Sequence, residues 1–260
     1  MSTFLFDKII FGPVYSRRLG VSLGINLLPG NRKICNFDCI YCECGLTHTA
    51  DISKEEMPGR DLVKNALFQS LEDMAASDQE PDAITFAGNG EPTIHPEING
   101  IIEDTIEVKN IFFPDSDIVM LSNSTTILIP EVRKALKKLD KCILKLDSAL
   151  DETLRLHNRP GIEVDAEGLV KALADLDFDI IIQTMFIRGT IDSREIDNTS
   201  EKEVEALLEA LKRIKPVEVQ VYTISRDAPE GYNIRKVEPA TLQEIAERIN
   251  KLGIKTQVSA

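Results

Sequence analysis

The sequence predicts an α/β fold in which helices cover a parallel sheet. From about Asp61 onward, segments with helical periodicity alternate at least five times with short apolar strands. These strands are apolar along their whole length, which is typical of strands buried on both faces of a parallel sheet. No linker rich in Pro, Gly or Ser divides the 260 residues. We therefore expect one domain.

The predicted elements follow one another in regular order. The clearest helix follows Ser200, where Glu203 would complete a capping box. The last predicted strand is 254–258. The other predicted strands are 83–86, 117–122, 142–147, 179–187 and 217–224; the predicted helices span 62–71, 98–106, 131–139, 166–176, 200–211 and 242–252.

Polar loops follow five of the predicted strands. In a parallel α/β sheet these loops meet at one rim, which is where such folds bind ligands. We therefore expect the functional site there. The loops are 88–92 (GNGEP), 122–125 (SNST), 146–148 (LDS), 183–185 (QTM) and 222–225 (YTIS).

Composition and charge exclude several classes of protein. With 43% apolar residues the chain can bury a full core. The 30 basic and 43 acidic residues give a net charge of −13, which argues against a protein that coats nucleic acid. No apolar run is long enough to span a bilayer. No basic region precedes the apolar stretch near the N-terminus, so we expect a cytoplasmic protein without a secretory signal.

Cysteine clustering is the most unusual feature of the sequence. Four of the five cysteines lie between positions 35 and 44, and neighbours this close are better placed to bind one metal centre than to form disulfides. Thiolates bind zinc or iron–sulfur clusters. A structural zinc site usually takes two separated pairs of ligands, and the chain has no second pair. The histidines, His48, His95 and His157, show no paired spacing either.

Three of these cysteines, Cys35, Cys39 and Cys42, follow a C-x3-C-x2-C pattern with Tyr41 before the last. This pattern resembles that of the radical S-adenosylmethionine (SAM) superfamily. The resemblance implies that the three thiolates hold a [4Fe-4S] cluster and that SAM binds its open iron. Cys44 is left as a neighbouring thiol. Cys142, which opens an apolar strand, is expected in the core.

The loop AGNGEP resembles the Gly-Gly-Glu-Pro motif of the same superfamily, which holds the SAM amino group. Gly90, Glu91 and Pro92 match, and Asn89 replaces the first glycine. Asn tolerates a positive φ, so we expect the loop conformation to be kept. A simple turn is the alternative.

The resemblance also implies further SAM contacts at the strand ends. Tyr41 belongs to this set, and the other residues would face the SAM carboxylate or ribose. Ordinary turns or helix caps are the alternative at 122–123 and 147–148. The additional residues are Ser122, Asn123, Lys145, Asp147 and Gln183.

Longer segments, 11–30, 145–160 and 183–193, resemble the bacterial branch of Fe–S oxidoreductases related to the wyosine tRNA-modifying synthetases. The implied fold is a partial TIM barrel, a (β/α)6 radical SAM core at 31–225, with an N-terminal extension (1–30) and a C-terminal helix and strand (226–260). The extra N-terminal cysteines and the lysine of the wyosine enzymes have no counterpart. A tRNA substrate is possible but not favoured, because the chain is acidic.

Basic residues suggest contacts to an anionic substrate group. Arg17, Arg18 and Arg188 are the candidates for this role. A solvated turn or an ion pair is the favoured alternative for 16–18. The polar run 155–159 could also contact substrate, but the favoured alternative there is that a helix C-terminus prefers basic residues.

The implied function is reductive cleavage of SAM, which yields a 5′-deoxyadenosyl radical that abstracts hydrogen from a small molecule or nucleoside. A flavodoxin or ferredoxin would donate the electron. Two alternatives stay open: an activase that acts on a glycyl radical enzyme, and a non-catalytic metal-binding protein.

Overall fold

The computed structural model of the protein describes residues 4–47, 57–191, 193–225 and 232–260. His48, the first three residues of the predicted N-terminal extension and 226–231 of the predicted C-terminal segment lie outside the described residues.

Within the described residues, eight strands form one curled sheet in the order β1-β2-β3-β4-β5-β6-β9-β11. Every neighbouring pair is parallel except β1 and β2, which form an antiparallel hairpin. The sheet is open, because β1 and β11 occupy its two edges. The strands are β1 Ile10–Ser16, β2 Gly20–Ile25, β3 Ala83–Phe86, β4 Asp117–Ser122, β5 Lys141–Lys145, β6 Ile181–Phe186, β9 Glu218–Thr223 and β11 Lys255–Ser259.

Helices connect the parallel strands and bury their apolar faces against the sheet. The main core lies between the two layers and contains residues of both, such as Leu67 of the first helix and Phe86 of β3. The predicted α/β alternation is therefore confirmed. The helices are α1 Arg60–Ala76, α2 Ile98–Phe112, α3 Pro130–Leu136, α4 Asp151–His157, α5 Ala166–Ala174, α6 Glu201–Ile214 and α7 Pro239–Asn250.

Several elements of secondary structure were not predicted from the sequence. The hairpin β1–β2 and the short helix α4 were not expected, and β2 extends the sheet into the predicted N-terminal extension. A second sheet, in the order β10-β7-β8, is built from strands of three or four residues, which are too short to show a period. These strands are β7 Arg188–Ile191, β8 Arg194–Asp197 and β10 Asn233–Arg235.

The capping box predicted at the start of α6 is wrong. Ser200 occupies the N-cap position but makes no side-chain cap hydrogen bond. Glu203 instead accepts hydrogen bonds from Ser148 Oγ (2.6 Å) and Thr153 Oγ1 (2.5 Å). Its carboxylate therefore joins α6 to the loop after β5 and to α4, whose hydroxyl donors compete successfully with the backbone of its own helix.

Backbone hydrogen bonds attach the cysteine segment to the loop after β3. Ile34 N donates to Asn89 O (2.9 Å), and Glu91 N donates to Ile34 O (3.0 Å). Gly90 lies between these bonds with a φ of 138°, and a Cβ at this position would lie 1.8 Å from Ile34 O. Only glycine fits here, since the approaching group is backbone and the φ is positive.

We expect Gly90→Ala to destabilise the iron-free protein by about 2–5 kcal/mol, because backbone strain and overpacking both contribute. Urea unfolding measures the change. Gly161→Ala is the matched control, since a Cβ there would meet only Asn36 O at 3.8 Å. We expect the control to stay within about 0.5 kcal/mol of wild type. Equal stability of Gly90→Ala and wild type would contradict the assigned contact.

Candidate functional site

A cavity of about 230 Å³ opens at the carboxyl-terminal rim of β3 to β6, against the cysteine segment. Among the described residues, no three His, Cys, Asp or Glu side chains converge tightly enough to hold a single metal ion. The three predicted ligand thiols instead share the wall of this larger space. The predicted site residues that line it are Cys35, Cys39, Tyr41, Cys42, Gly90, Glu91, Ser122, Asn123, Lys145 and Gln183.

Hydrogen-bond donors surround two of the sulfur atoms. Cys35 Sγ accepts from Phe37 N (3.4 Å) and Asn123 Nδ2 (3.5 Å), and Cys39 Sγ accepts from Asn158 Nδ2 (3.4 Å). Burial raises the pKa of Cys35 to about 12 and also raises the pKa of Cys39. Donors aimed at sulfur stabilise bound thiolate, as they do around iron–sulfur clusters.

Cys44 lies on the same wall, next to Cys42. A hydrogen bond from the Cys44 thiol, with the nearby Lys33 ammonium, lowers the pKa of Cys42 to about 6 against the effect of burial. Cys44 Sγ also lies 3.4 Å from Gly88 O, to which it can donate. Cys142 lies elsewhere, buried in the core as predicted, and its thiol donates to Leu136 O (3.1 Å).

Lys33 is a buried cation beside the thiols, and the sequence analysis missed it. Its Nζ donates to Asp38 Oδ1 (3.2 Å) and Gly45 O (3.1 Å). Burial lowers its pKa, but electrostatic interactions with Cys42, Cys35, Cys39 and Asp38 together raise the pKa above its usual value. The ammonium therefore stays charged and favours a negatively charged occupant. Its position two residues before the first cysteine was the available signal.

Asp147 lies behind the cavity wall, so the expectation that it faces SAM needs correction. Its Oδ2 accepts hydrogen bonds from Tyr41 Oη and from Asn158 Nδ2 (2.7 Å), and its Oδ1 accepts from Met185 N (2.9 Å). Lys145 Nζ lies 3.5 Å from the same Oδ1. These contacts use both oxygens, so Asp147 orients the residues that line the cavity.

Asn158 is the other site residue that the sequence analysis set aside. It lies in the polar run 155–159, for which a structural role was favoured. Its Nδ2 contacts Cys39 Sγ, Asp147 Oδ2 and Tyr41 Oη (3.2 Å). The short helix α4, which was not predicted, brings Asn158 back to the cysteine segment.

The explanation offered for Asn89 is also wrong. The positive φ angles in this loop belong to Gly88 (134°) and Gly90 (138°), and not to Asn89. The Asn89 amide is fully buried and points away from the cavity, donating to Phe6 O and Pro29 O (both 2.8 Å). Asn replaces Gly here because its side chain ties the N-terminal segment to the loop. Pro92 does not line the cavity either; it begins a 3-10 turn.

Glu91 connects the loops after β3 and β4. Its Oε1 accepts hydrogen bonds from Thr93 N (3.1 Å) and Thr93 Oγ1 (2.5 Å), and its Oε2 accepts from Asn123 N (2.6 Å). Burial raises its pKa, although these donors act in the opposite direction. Asn123 in turn donates to Asn36 Oδ1 (2.6 Å), so Glu91 indirectly positions the residue after Cys35.

A chain of hydrogen bonds joins Lys145 and Gln183, which line the cavity, through Tyr222, which does not. Lys145 Nζ donates to Tyr222 Oη (3.3 Å), which donates to Gln183 Oε1 (3.1 Å). Gln183 Nε2 in turn donates a hydrogen bond to Gln220 Oε1 (2.9 Å). Burial lowers the pKa of Lys145, but the adjacent Asp147 more than reverses this, so its pKa lies above the usual value and the ammonium stays charged.

The three candidate arginines lie outside this cavity. Arg188 donates to Thr199 Oγ1 (2.8 Å) and pairs with Asp197 (3.2 Å). It lines neither this cavity nor the neighbouring one that contains Arg17 and Arg18. Arg188 is therefore held by Thr199 and Asp197, and its role as a substrate contact stays a prediction.

Comparison of the sequence with known proteins identifies the family of this chain. The sequence model of the radical SAM superfamily matches residues 33–199. The UPF0026 protein MJ1312 of Methanocaldococcus jannaschii is 30% identical over 92% of this chain and 69% of its own length. A protein named GTPase Obg, from Brachyspira hyodysenteriae, is 30% identical over 85% of this chain, but the match covers only 31% of that protein. This chain has no Gly-Lys pair, which a P-loop requires.

Solved structures share the fold at low sequence identity. A radical SAM methyltransferase from Sphaerobacter thermophilus has a TM-score of 0.66 at 12% identity, covering 92% of this chain and 65% of that one. Archaeal TYW1 has a TM-score of 0.52 at 12% identity, covering 88% and 71%. The predicted partial barrel is therefore confirmed.

No helix in the described part of the chain is long and apolar enough to cross a membrane. The family match, 33–199, includes the cysteine segment, the loop after β3, and the residues of β4, β5 and β6 that line the cavity. The chain thus belongs to the radical SAM superfamily of enzymes, which use a [4Fe-4S] cluster and SAM, and within it to the UPF0026 proteins.

Proposed function

We propose that Cys35, Cys39 and Cys42 hold the [4Fe-4S] cluster of a radical SAM enzyme that abstracts hydrogen from an anionic or neutral small molecule or nucleoside. The observation that carries this proposal is the shared cavity wall on which the three thiols lie. Amide donors at two of the sulfurs and the buried Lys33 suit a negatively charged group of this kind. The residues present therefore fit the cluster.

When bound, the cluster supplies the electron that splits SAM into methionine and a 5′-deoxyadenosyl radical. The protein's part is to bind and orient. Lys145, kept charged by Asp147, offers a cation to the SAM carboxylate. Gly90 and Glu91 bring backbone to the cavity wall, and Ser122, Asn123 and Gln183 supply polar contacts.

Apolar side chains complete the wall and keep water from the reacting atoms. Phe37, Ala87 and Leu121 line the cavity between the polar residues. A primary carbon radical reacts with almost any hydrogen donor, so a dry and closely fitted site limits side reactions. Tyr41, fixed by its bond to Asp147, forms the boundary toward the neighbouring cavity.

We further propose that residues 1–260 act as one radical SAM domain. Pairing of β2 and of β11 with the central strands supports this, since these two strands come from the predicted extension and C-terminal segment. A flavodoxin or ferredoxin is the proposed electron donor. The net charge of −13 disfavours tRNA as the substrate.

Anaerobic reconstitution tests the proposal. The protein is incubated with iron and sulfide, then with SAM and a chemical reductant, and 5′-deoxyadenosine is quantified. We expect cluster absorbance and reductant-dependent 5′-deoxyadenosine. One tightly held zinc ion without SAM cleavage would identify a non-catalytic metal-binding protein and overturn the proposal.

We expect Cys39→Ala to lose cluster binding and SAM cleavage, because its thiolate is a proposed ligand. Cys44→Ala is the matched control from the same wall and should keep most of its iron and activity. Iron content and 5′-deoxyadenosine yield are measured together for both variants. If the Cys44 variant loses its cluster and the Cys39 variant keeps it, the ligand assignment is wrong.

We expect Lys33→Met to shift the cluster's reduction potential to more negative values and to speed cluster loss. Removing a buried cation next to an anionic cluster disfavours the more negative, reduced form. Lys109→Met is the matched control. Lys109 lies on α2 and is also buried, but it donates to Pro114 O (2.6 Å) and does not line the cavity. Redox titration of both variants measures the shift. Equal potentials in the two variants would rule out an electrostatic role for Lys33.

A further inference from the structure

A second cavity, of about 380 Å³, adjoins the first. It lies between the turn that joins β1 to β2 and the carboxyl-terminal ends of β6 and β9. Tyr41 lines both cavities. Tyr222 lines the second and hydrogen bonds to Lys145 and Gln183, which line the first. A molecule in the second cavity would therefore lie next to the proposed SAM site.

Arg18 is the unusual residue of this second cavity. Its guanidinium lies over the Tyr222 ring, 4.7 Å from the centroid. Its Nη1 is buried and has no hydrogen-bond partner. A buried polar group without a partner costs free energy, and stacking against an aromatic ring supplies no acceptor in the plane of the N–H bonds. An acceptor from a ligand would satisfy this donor.

Other arginines of the protein pair with carboxylates. Arg213 makes two hydrogen bonds to the Glu167 carboxylate, and Arg248 makes two to Glu201. In a chain with 13 more acidic than basic residues, carboxylate partners are abundant. Arg18 lacks one among the described residues, although its preorganised fork suits a carboxylate or phosphate.

Among the described residues that line the second cavity, positive side chains outnumber negative ones. The charged side chains there are those of Arg17, Arg18 and Glu43. Arg17 already has a hydrogen-bond partner, since its Nη1 donates to Ala260 O (2.6 Å). Of these two arginines, Arg18 is the one that contacts Tyr222, whose hydroxyl hydrogen bonds to residues of the first cavity.

We propose that the second cavity binds an oxyanion of the substrate, a carboxylate or a phosphate, and that Arg18 is its main contact. This inference rests on the proposed function for the reaction itself, because the remainder of the substrate would extend past Tyr41 and Tyr222 toward SAM. It narrows the substrate class to acids and phosphorylated compounds. A neutral nucleoside would leave Arg18 unsatisfied.

Ligand-observed NMR on the reconstituted protein, saturated with SAM, tests this inference. The probes are inorganic phosphate, acetate and acetamide, the last being a neutral analogue of acetate. We expect one or both anions to bind, and acetamide not to bind. Arg18→Gln should weaken anion binding at least about tenfold, the effect of losing one charge-assisted hydrogen bond. Arg18→Lys should keep part of the affinity, because it retains the charge but not the planar fork.

Arg213→Gln is the control for a general loss of positive charge and should bind the anions as wild type does. Preference for phosphate or for acetate identifies which oxyanion the substrate carries. Unchanged anion binding by Arg18→Gln, or no binding of either anion to wild type, overturns the inference. The titration needs no turnover, so Arg18-dependent binding in a protein that fails to cleave SAM would reject the proposed function and leave the anion site standing.

Discussion

The site depends on how a segment without regular secondary structure is attached to the sheet. Residues 33–45 carry the cysteines but form no helix or strand. Backbone hydrogen bonds from Ile34 to the loop after β3 hold one end, and bonds from Asp38 N to Asn158 O (2.8 Å) and from Ile40 N to His157 O (3.0 Å) hold the middle. The cysteines therefore take their positions from two loops of the rim, and a change in either loop would move the sulfurs.

Asp147 joins the segments of the site through side chains, as the backbone hydrogen bonds join the cysteine segment to the rim. It is buried, and its carboxylate joins Tyr41 of the cysteine segment, Asn158 after α4 and the backbone of β6 at Met185. A carboxylate buried in such a place is stable only because several donors and the Lys145 ammonium surround it. The same contacts fix Lys145 and Tyr41 on the cavity wall, so the charge that is costly to bury also orders the site.

Sequence patterns predicted the parts of this site that depend on local chemistry. The cysteine spacing and the polar strand ends identified ten residues that line the cavity. The directions of side chains could not be predicted, because they depend on contacts between distant segments: Asn89 turns toward Phe6, and Asp147 turns behind the wall. Asn158 was missed for the same reason, since only the fold brings it to Cys39. Lys33 lies two residues before Cys35, but it belongs to no motif that was recognised.

Cationic side chains line both cavities. Burying a cation costs free energy unless a negative group lies close to it. Lys33 has Asp38 and the thiolates, and Lys145 has Asp147. Arg18 has the Tyr222 ring but no carboxylate among the described residues, so its charge is the least compensated of the three. In an otherwise acidic protein, three cations gathered at one rim favour three successive anionic groups: the cluster, the carboxylate of SAM, and an oxyanion supplied by the substrate.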